Sequence, residues 1–229
     1  MARPAIWLIS GAPGAGKSTV SDALCRRFRL AVHIPVDDIR DWVRSGFASP
    51  VEWTNETGRQ FALARRGAAR IATDYADAGF DVMVDDVIRE SDLNQYTDYL
   101  GKTELRKVLL NPSLEAVLAR NAAPGRKPFD SSILEAACRG LHPLLLAENT
   151  TDRGWIVIDS TGLNIDETVN AIVRAFKTGA DGTELRAKQR RGLLSERPPA
   201  GGPPRSQEGP SEEDPGAARA PSPGQDPRL

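Results

Sequence analysis

The sequence predicts an α/β fold in three layers, a largely parallel sheet covered by helices on both faces. Short β-rich runs alternate with longer segments of helical period over most of the chain, the pattern produced by repeated strand–helix–strand units. Of the 229 residues 40% are hydrophobic and 27% charged, ordinary values for a chain that buries a core. A glycine-rich turn, Gly11–Gly16, joins the first apolar run to the first amphipathic segment.

The elements follow in order. Ala5–Ser10 is the first strand, and a helix beginning near Gly16 carries Val20, Leu24 and Phe28 as one apolar stripe. Ala31–Val36 is the second strand. Between Thr54 and Ala78, Phe61, Ala64, Ala68, Ile71 and Tyr75 step by three and four, which predicts a long helix stopped by Gly79. Phe80–Asp85 and Leu105–Leu110 are the third and fourth strands. Asn111 and Pro112 supply an N-cap and a first-turn proline for a helix burying Leu114, Val117 and Leu118 and ending near Arg120. After a loop at Asn121–Asp130, a helix starts at about Ser131, followed by the strand Trp155–Asp159. The last helix is capped by Asn164 with Glu167 three residues on, and buries Val169, Ile172, Val173 and Phe176.

Residues 1–194 are expected to form one domain and residues 195–229 a disordered tail. That tail holds nine of the seventeen prolines, no aromatic residue, no Val or Ile, and one large aliphatic residue, so it cannot offset its ordering entropy. Lys and Arg number 30 against 31 Asp and Glu, which gives no global attraction to polyanions. Cys25 and Cys138 lack metal-type pairing and disulfide density, and are expected as reduced thiols in a cytoplasmic protein. No apolar run approaches the roughly 20 residues of a membrane span, so no membrane partner is expected.

The chemistry is carried by the first turn. Gly11-Ala12-Pro13-Gly14-Ala15-Gly16-Lys17-Ser18, followed by Thr19, fits the phosphate-binding pattern G-x-x-x-x-G-K-[ST] at every fixed position. Glycines let successive amides point inward as an anion nest, and the helix starting there adds its dipole and unpaired N–H groups. Lys17 can reach the outer phosphates, and the Ser18 hydroxyl can ligate Mg²⁺.

Two carboxylate pairs end strands at the edge where ligands of open α/β sheets bind, Asp37-Asp38 and Asp85-Asp86. Asp85, ending Val82-Met83-Val84, is suited to hold Mg²⁺ waters opposite Ser18. Asp37 could accept a hydroxyl proton beside the γ-phosphate, with Arg40 one turn later. The bland alternative for each Asp is an N-cap at a strand-to-helix turn, which leaves open which member of each pair carries each role.

These residues resemble the small P-loop kinases of the chloramphenicol phosphotransferase, gluconate kinase, shikimate kinase and zeta-toxin type. GAPGAGKST at 11–19, VDDIR at 36–40, FDVMVDDVI at 80–88, RNAAPGRKP at 120–128 and IDSTGLNIDETVNAI at 158–172 carry the resemblance, which spans residues 5 to 177. It implies a five-stranded parallel sheet in order 2-3-1-4-5, ATP as phosphate donor, Mg²⁺ as cofactor, and a small-molecule hydroxyl acceptor near Asp37. It further implies a short lid at about residues 120–130 that closes Arg120 and Arg126 over the phosphates, the alternative being solvated surface arginines. The Asp159–Gly162 turn resembles the family's adenine-side loop. Asp85-Asp86-Val87 stands where the shikimate branch has a glycine-rich turn, which argues against that substrate. The acceptor pocket falls at Asp41–Glu56, which contains Trp42, Phe47 and Trp53 and could stack on a ring-bearing or sugar substrate or simply form a packed hairpin.

Three rival classes are weaker. No asparagine is followed by lysine, so the Asn-Lys-x-Asp signature of guanine readers is missing. A nucleic-acid-end kinase would share this architecture, but the neutral charge balance and lack of a basic–aromatic stripe oppose it. A regulatory nucleotide-binding ATPase without an acceptor would not need Asp37. His33 and His142 stand apart from any nucleophile or ligand pattern and are expected to be structural.

Overall fold

Six apolar or small residues in succession fit a strand covered on both faces, and β1 (Ala5–Ser10) is buried throughout. The computed structural model describes residues 4–122 and 131–180. After β1 come α1 (Lys17–Cys25), β2 (Ala31–Pro35), α2 (Val36–Arg40), α3 (Asn55–Asp77), β3 (Asp81–Asp85), α4 (Asn94–Thr97), β4 (Glu104–Leu110), α5 (Leu114–Ala122), α6 (Ser131–Glu148), β5 (Trp155–Ile158) and α7 (Ile165–Ala180). The five strands are hydrogen-bonded in the order β2-β3-β1-β4-β5, and every pairing is parallel, as the resemblance implied. By its contacts the chain divides at Glu184–Leu185, and the described residues all belong to the first unit. The expected tail, residues 195–229, lies outside the described residues.

Strand periodicity builds two apolar clusters, one on each face of the sheet. Ile6 and Leu8 of β1 join Val82, Val84 and Leu109 on the side of α3, α5 and α6. Ala5, Trp7 and Ile9 join Met83, Val108 and Leu110 on the side of α1 and α7, where Leu24, Val169 and Ile172 close the layer. Three side chains of the last helix's predicted face behave in two ways: Ile172 is fully buried, while Val173 and Phe176 are partly covered. Phe176 meets Trp7 edge to face at 4.8 Å. Asn164 and Glu167 form the predicted box, with Glu167 N–H donating to Asn164 Oδ1 at 2.9 Å and Asn164 N–H to Glu167 Oε2 at 2.8 Å.

Two helices differ from expectation. The buried stripe of α3 is Ala64, Ala68, Ala69, Ala72 and Ala76, while Ile71 is only half-buried and Tyr75 is exposed. Small side chains let the helix axis approach the sheet, and Phe61 is diverted into a stack with Trp53. The helix does end as predicted at Gly79: Ala78 is the C-cap, and Gly79 follows at φ 95°, its N–H donating to Ala76 O and that of Phe80 to Tyr75 O, both at 3.0 Å. The cap of α5 is Ser113, whose Oγ accepts from Ala116 N–H at 3.2 Å, and not Asn111. The helix begins at Leu114, so Ser113 is the residue that directly precedes its free amides, while Asn111 lies two residues further back, its N–H donating to Ile158 O at 2.8 Å beyond the end of β4. The helix runs past Arg120 to Ala122.

Candidate active site

The cleft at the carboxyl ends of the strands is assembled around the turn after β1. It encloses about 930 Å³ and is lined by Gly14–Val20, by Asp37, Asp38 and Asp85, by Arg120 and Asn121, and by Ser160 and Leu163–Ile165. Two glycines are conformational necessities. Gly16 caps α1 at φ 96° with open space around it, so the left-handed backbone alone demands glycine. Gly14, at φ 88°, also lies so close to Asn121 that a Cβ would sit 2.5 Å from its Nδ2. The first amides of α1 have no partner within the helix and lie on the cleft wall.

Of the expected phosphate-binding residues, Gly14, Ala15, Gly16, Lys17, Ser18 and Thr19 line the cleft. Gly11, Ala12 and Pro13 form the back of the loop. Ala12 O accepts from Ala15 N–H at 3.0 Å and from Lys17 Nζ at 3.4 Å. Pro13 O accepts from Asn121 Nδ2 at 2.8 Å and from the Cys138 thiol at 3.3 Å. Asn121 and Cys138 thus hold the 13–14 peptide from α5 and α6, a task no local motif announces.

Arg120 also reaches the loop. Its Nη1 donates to Ala15 O at 3.4 Å and its Nη2 to Ser160 O at 3.2 Å, tying the glycine-rich turn to the turn after β5. Arg126 and most of the expected lid, residues 123–130, lie outside the described residues. On the β5 side, Asp159 Oδ1 accepts from Thr161 N–H at 2.9 Å and from its hydroxyl at 2.5 Å, which lowers the carboxyl pKa. Thr161 Oγ1 accepts from Ser113 N–H at 2.8 Å, fixing that turn to the start of α5.

The two aspartate pairs separate in role. Asp37 and Asp38 lie in the first turn of α2 and line the cleft. Enclosure within the cleft raises the Asp37 pKa above its ordinary value, helped by the nearby Asp86 charge and opposed by Lys17 and Arg40. Asp85 lines the cleft, whereas Asp86 turns into the protein. Its Oδ2 accepts from Arg65 Nε at 2.6 Å and from the Tyr96 hydroxyl at 2.9 Å, and its Oδ1 from Val87 N–H at 2.7 Å. A buried carboxylate needs such partners, and Asp86 is a structural clamp on the loop after β3.

His33 is not isolated. Its Nε2 lies 2.5 Å from Asp85 Oδ2 and its Nδ1 2.8 Å from Asp22 Oδ1. Burial works to lower the imidazole pKa, but the hydrogen bonds and charges of Asp85 and Asp22 outweigh it, and the pKa is raised. His142 Nε2 pairs with Pro112 O at 2.8 Å, a structural contact. Burial pushes the Cys25 thiol up to about 11, where it is chemically inert.

Beyond Asp37 the chain from α2 to α3 carries a layered stack. Arg40 lies 3.8 Å from the Phe61 ring and 5.0 Å from Phe47, and Trp53 stacks on Phe61 at 5.3 Å. Arg40 is buried and donates to Ala48 O at 2.9 Å, and Arg65 is held by Asp86, Gln95 and Val87 O. Trp42 and Trp53 remain about two-thirds exposed, at 65% and 66%.

The fold and the loop define a P-loop NTPase. The chain belongs to the AAA-domain family, whose model matches residues 6–142, more than half of its length. In structure it is similar to a gluconokinase from Sinorhizobium meliloti 1021, at 16% identity, covering 81% of this chain and 99% of that one with a TM-score of 0.56. It is similar to a sugar kinase from Janibacter sp. at 17% identity, covering 78% and 95% with a TM-score of 0.52. A thymidylate kinase from Candida albicans matches at 14% identity, covering 78% and 93% with a TM-score of 0.56. No curated protein matches in sequence. The expected likeness to small P-loop kinases holds for the fold. Among the described residues no helix is long and apolar enough to cross a membrane.

Proposed function

We propose that this chain is an ATP-dependent kinase that transfers the γ-phosphoryl group to a hydroxyl of a small molecule. The observation that carries the reading is the convergence of a glycine-rich anion cradle, Lys17, Ser18, Asp85 and Asp37 on one cleft. Gluconate and sugar kinases of the same fold support a hydroxyl acceptor, while the thymidylate kinase warns that the fold by itself does not choose one.

The donor set fits a magnesium nucleotide. The described residues contain no cluster of three His, Cys, Asp or Glu side chains able to cage a metal. One hydroxyl and one carboxylate beside a phosphate cradle suit Mg²⁺, which keeps waters and shares its coordination with phosphates. When bound, Mg²⁺ supplies charge neutralisation on the transferring phosphate. Ser18 and Asp85 would hold it, and Lys17 and the amides of Gly14–Thr19 would bind the phosphates. Asp37 takes the acceptor proton as the acceptor oxygen bonds to the γ-phosphorus and the bond to the β-phosphate oxygen breaks, releasing ADP. Its raised pKa strengthens it as a base. Arg120, tied to Ala15 and Ser160, closes the phosphate side of the cleft.

Asp37 sits one turn before Arg40, which is enclosed by Phe47 and Phe61 and donates to Ala48 O but keeps a buried Nε with no hydrogen-bond partner among the described residues. Arg65 is held by Asp86 and Gln95.

The test is transfer of labelled γ-phosphate from Mg·ATP into separate pools of neutral polyols, sugar acids, nucleosides, ring-bearing antibiotics and oligonucleotides. A labelled small product formed by wild type and lost in Asp37→Asn is the expected result. Labelled oligonucleotide alone, or phosphate released equally by both proteins, would overturn the reading.

A further inference from the structure

We propose that His33 is a positioning residue that locks the Asp85 carboxylate in place for the metal–nucleotide complex. The inference rests on the assignment of Asp85 to the metal side of the cleft. His33 pairs with Met83 across β2 and β3, and Asp85 follows two residues later on the same face of β3. The imidazole is thereby set beside the strand end that enters the cleft. Its other nitrogen is fixed by Asp22, which lies on α1, the helix that the glycine-rich loop opens.

The geometry is that of a second layer behind a ligand. Asp85 Oδ2 is capped by His33 Nε2 at 2.5 Å, and among the described residues Oδ1 has no protein hydrogen-bond partner. An aspartate at a strand end can otherwise rotate about two bonds. Tied at one oxygen, it presents the other in a single direction, and the same tie sets the spacing between β3 and α1, hence between Asp85 and Ser18. Partners of this kind change metal affinity by about 10–100-fold when removed. A histidine needed only for packing would be replaceable by a ring of equal volume.

The experiment titrates Mg²⁺ into wild type and variants in the presence of a fluorescent ATP analogue, and measures analogue affinity in EDTA and in saturating Mg²⁺. His33→Phe keeps the ring volume and loses both bonds, His33→Gln keeps a donor at the Nε2 position, and His33→Asn keeps one only at the Nδ1 position. The expected result is a rise of about 10-fold in the Mg²⁺ concentration for half-effect in His33→Phe and His33→Asn, near wild-type behaviour in His33→Gln, and unchanged affinity in EDTA. Should His33→Phe fail to fold, the contrast between His33→Gln and His33→Asn decides the question. Wild-type Mg²⁺ dependence in His33→Asn, with Asp85→Asn strongly shifted, would overturn the positioning role while leaving the metal assignment intact. An unshifted Asp85→Asn would overturn both.

Discussion

The two ends of the cleft are built on different principles. At the phosphate end, residues 14–19 are contiguous, and their backbone amides are fixed by left-handed glycines, a helix start and carbonyl contacts from Arg120, Asn121 and Cys138. At the other end are Asp37 and Asp38, and behind them, outside the cleft lining, aromatic and arginine side chains of residues 40, 47, 53 and 61 stack on one another across the segment between α2 and α3. A backbone cradle recognises a group common to all nucleotides and tolerates little change. A side-chain stack can be re-cut by single substitutions, so on the proposed function variation in the acceptor is expected on that side.

The largest separation of the two ends should come from Lys17→Ala, which removes a cation from the phosphate side. Transfer should fall about 10³-fold whichever acceptor is offered, measured by initial rates at saturating acceptor. Undiminished turnover would break the phosphate-side assignment. Asp37→Asn should cut transfer by about 10²-fold or more while Mg·ATP binding stays near wild type by calorimetry.

Asp37 also predicts a pH dependence. Its folded-state pKa lies above the ordinary 3.8, because of enclosure first and the Asp86 charge second. The base is therefore lost as pH falls through that raised value, and the acid limb of the rate profile should lie above 3.8. The stability sign is opposite. The folded state binds this proton more tightly than the unfolded chain, so stability declines as pH rises from 3.8 through the raised value; Asp37 is solvent-exposed, so water screens the effect, and Asp37→Asn should melt no lower than wild type at neutral pH. A lower melting point there would mean the carboxylate stabilises the fold as a cap.

Smaller effects sharpen the contrast. Gly14→Ala should destabilise by about 1–3 kcal/mol in urea unfolding, because the new Cβ meets Asn121 and the backbone is left-handed. Adding Asn121→Ala should recover part of that loss. Trp53→Ala should raise the acceptor KM by about fivefold and leave the KM for ATP unchanged, the amount expected of one ring contact.

The segments that read correctly from sequence are those whose signal is local. β1, the glycine turn and α1 declare themselves in the unbroken stretch Ala5–Cys25, and the Asn164–Glu167 box is a three-residue spacing that nothing distant overrides. α3 read correctly as a helix and wrongly as to its face. Helical period fixes spacing, while the choice of alanines over Phe61 and Tyr75 depends on how near the sheet lies. Asn111 has the chemistry of a cap, and the start of α5 at Leu114, two residues later than its spacing required, gives the task to Ser113.

Sequence by itself determined the parallel α/β plan, the phosphate cradle and the presence of two carboxylate pairs at strand ends, because periodicity and backbone conformation are written in neighbouring residues. Tertiary structure alone decided which member of the second pair faces the cleft, since Asp85 and Asp86 are adjacent and point to opposite faces. It alone joined His33 to Asp22 and Asp85, across separations of 11 and 52 residues, and gave the Pro13 carbonyl to Asn121 and Cys138. Those pairings arise from strand register and helix packing, which juxtapose residues that no local pattern connects.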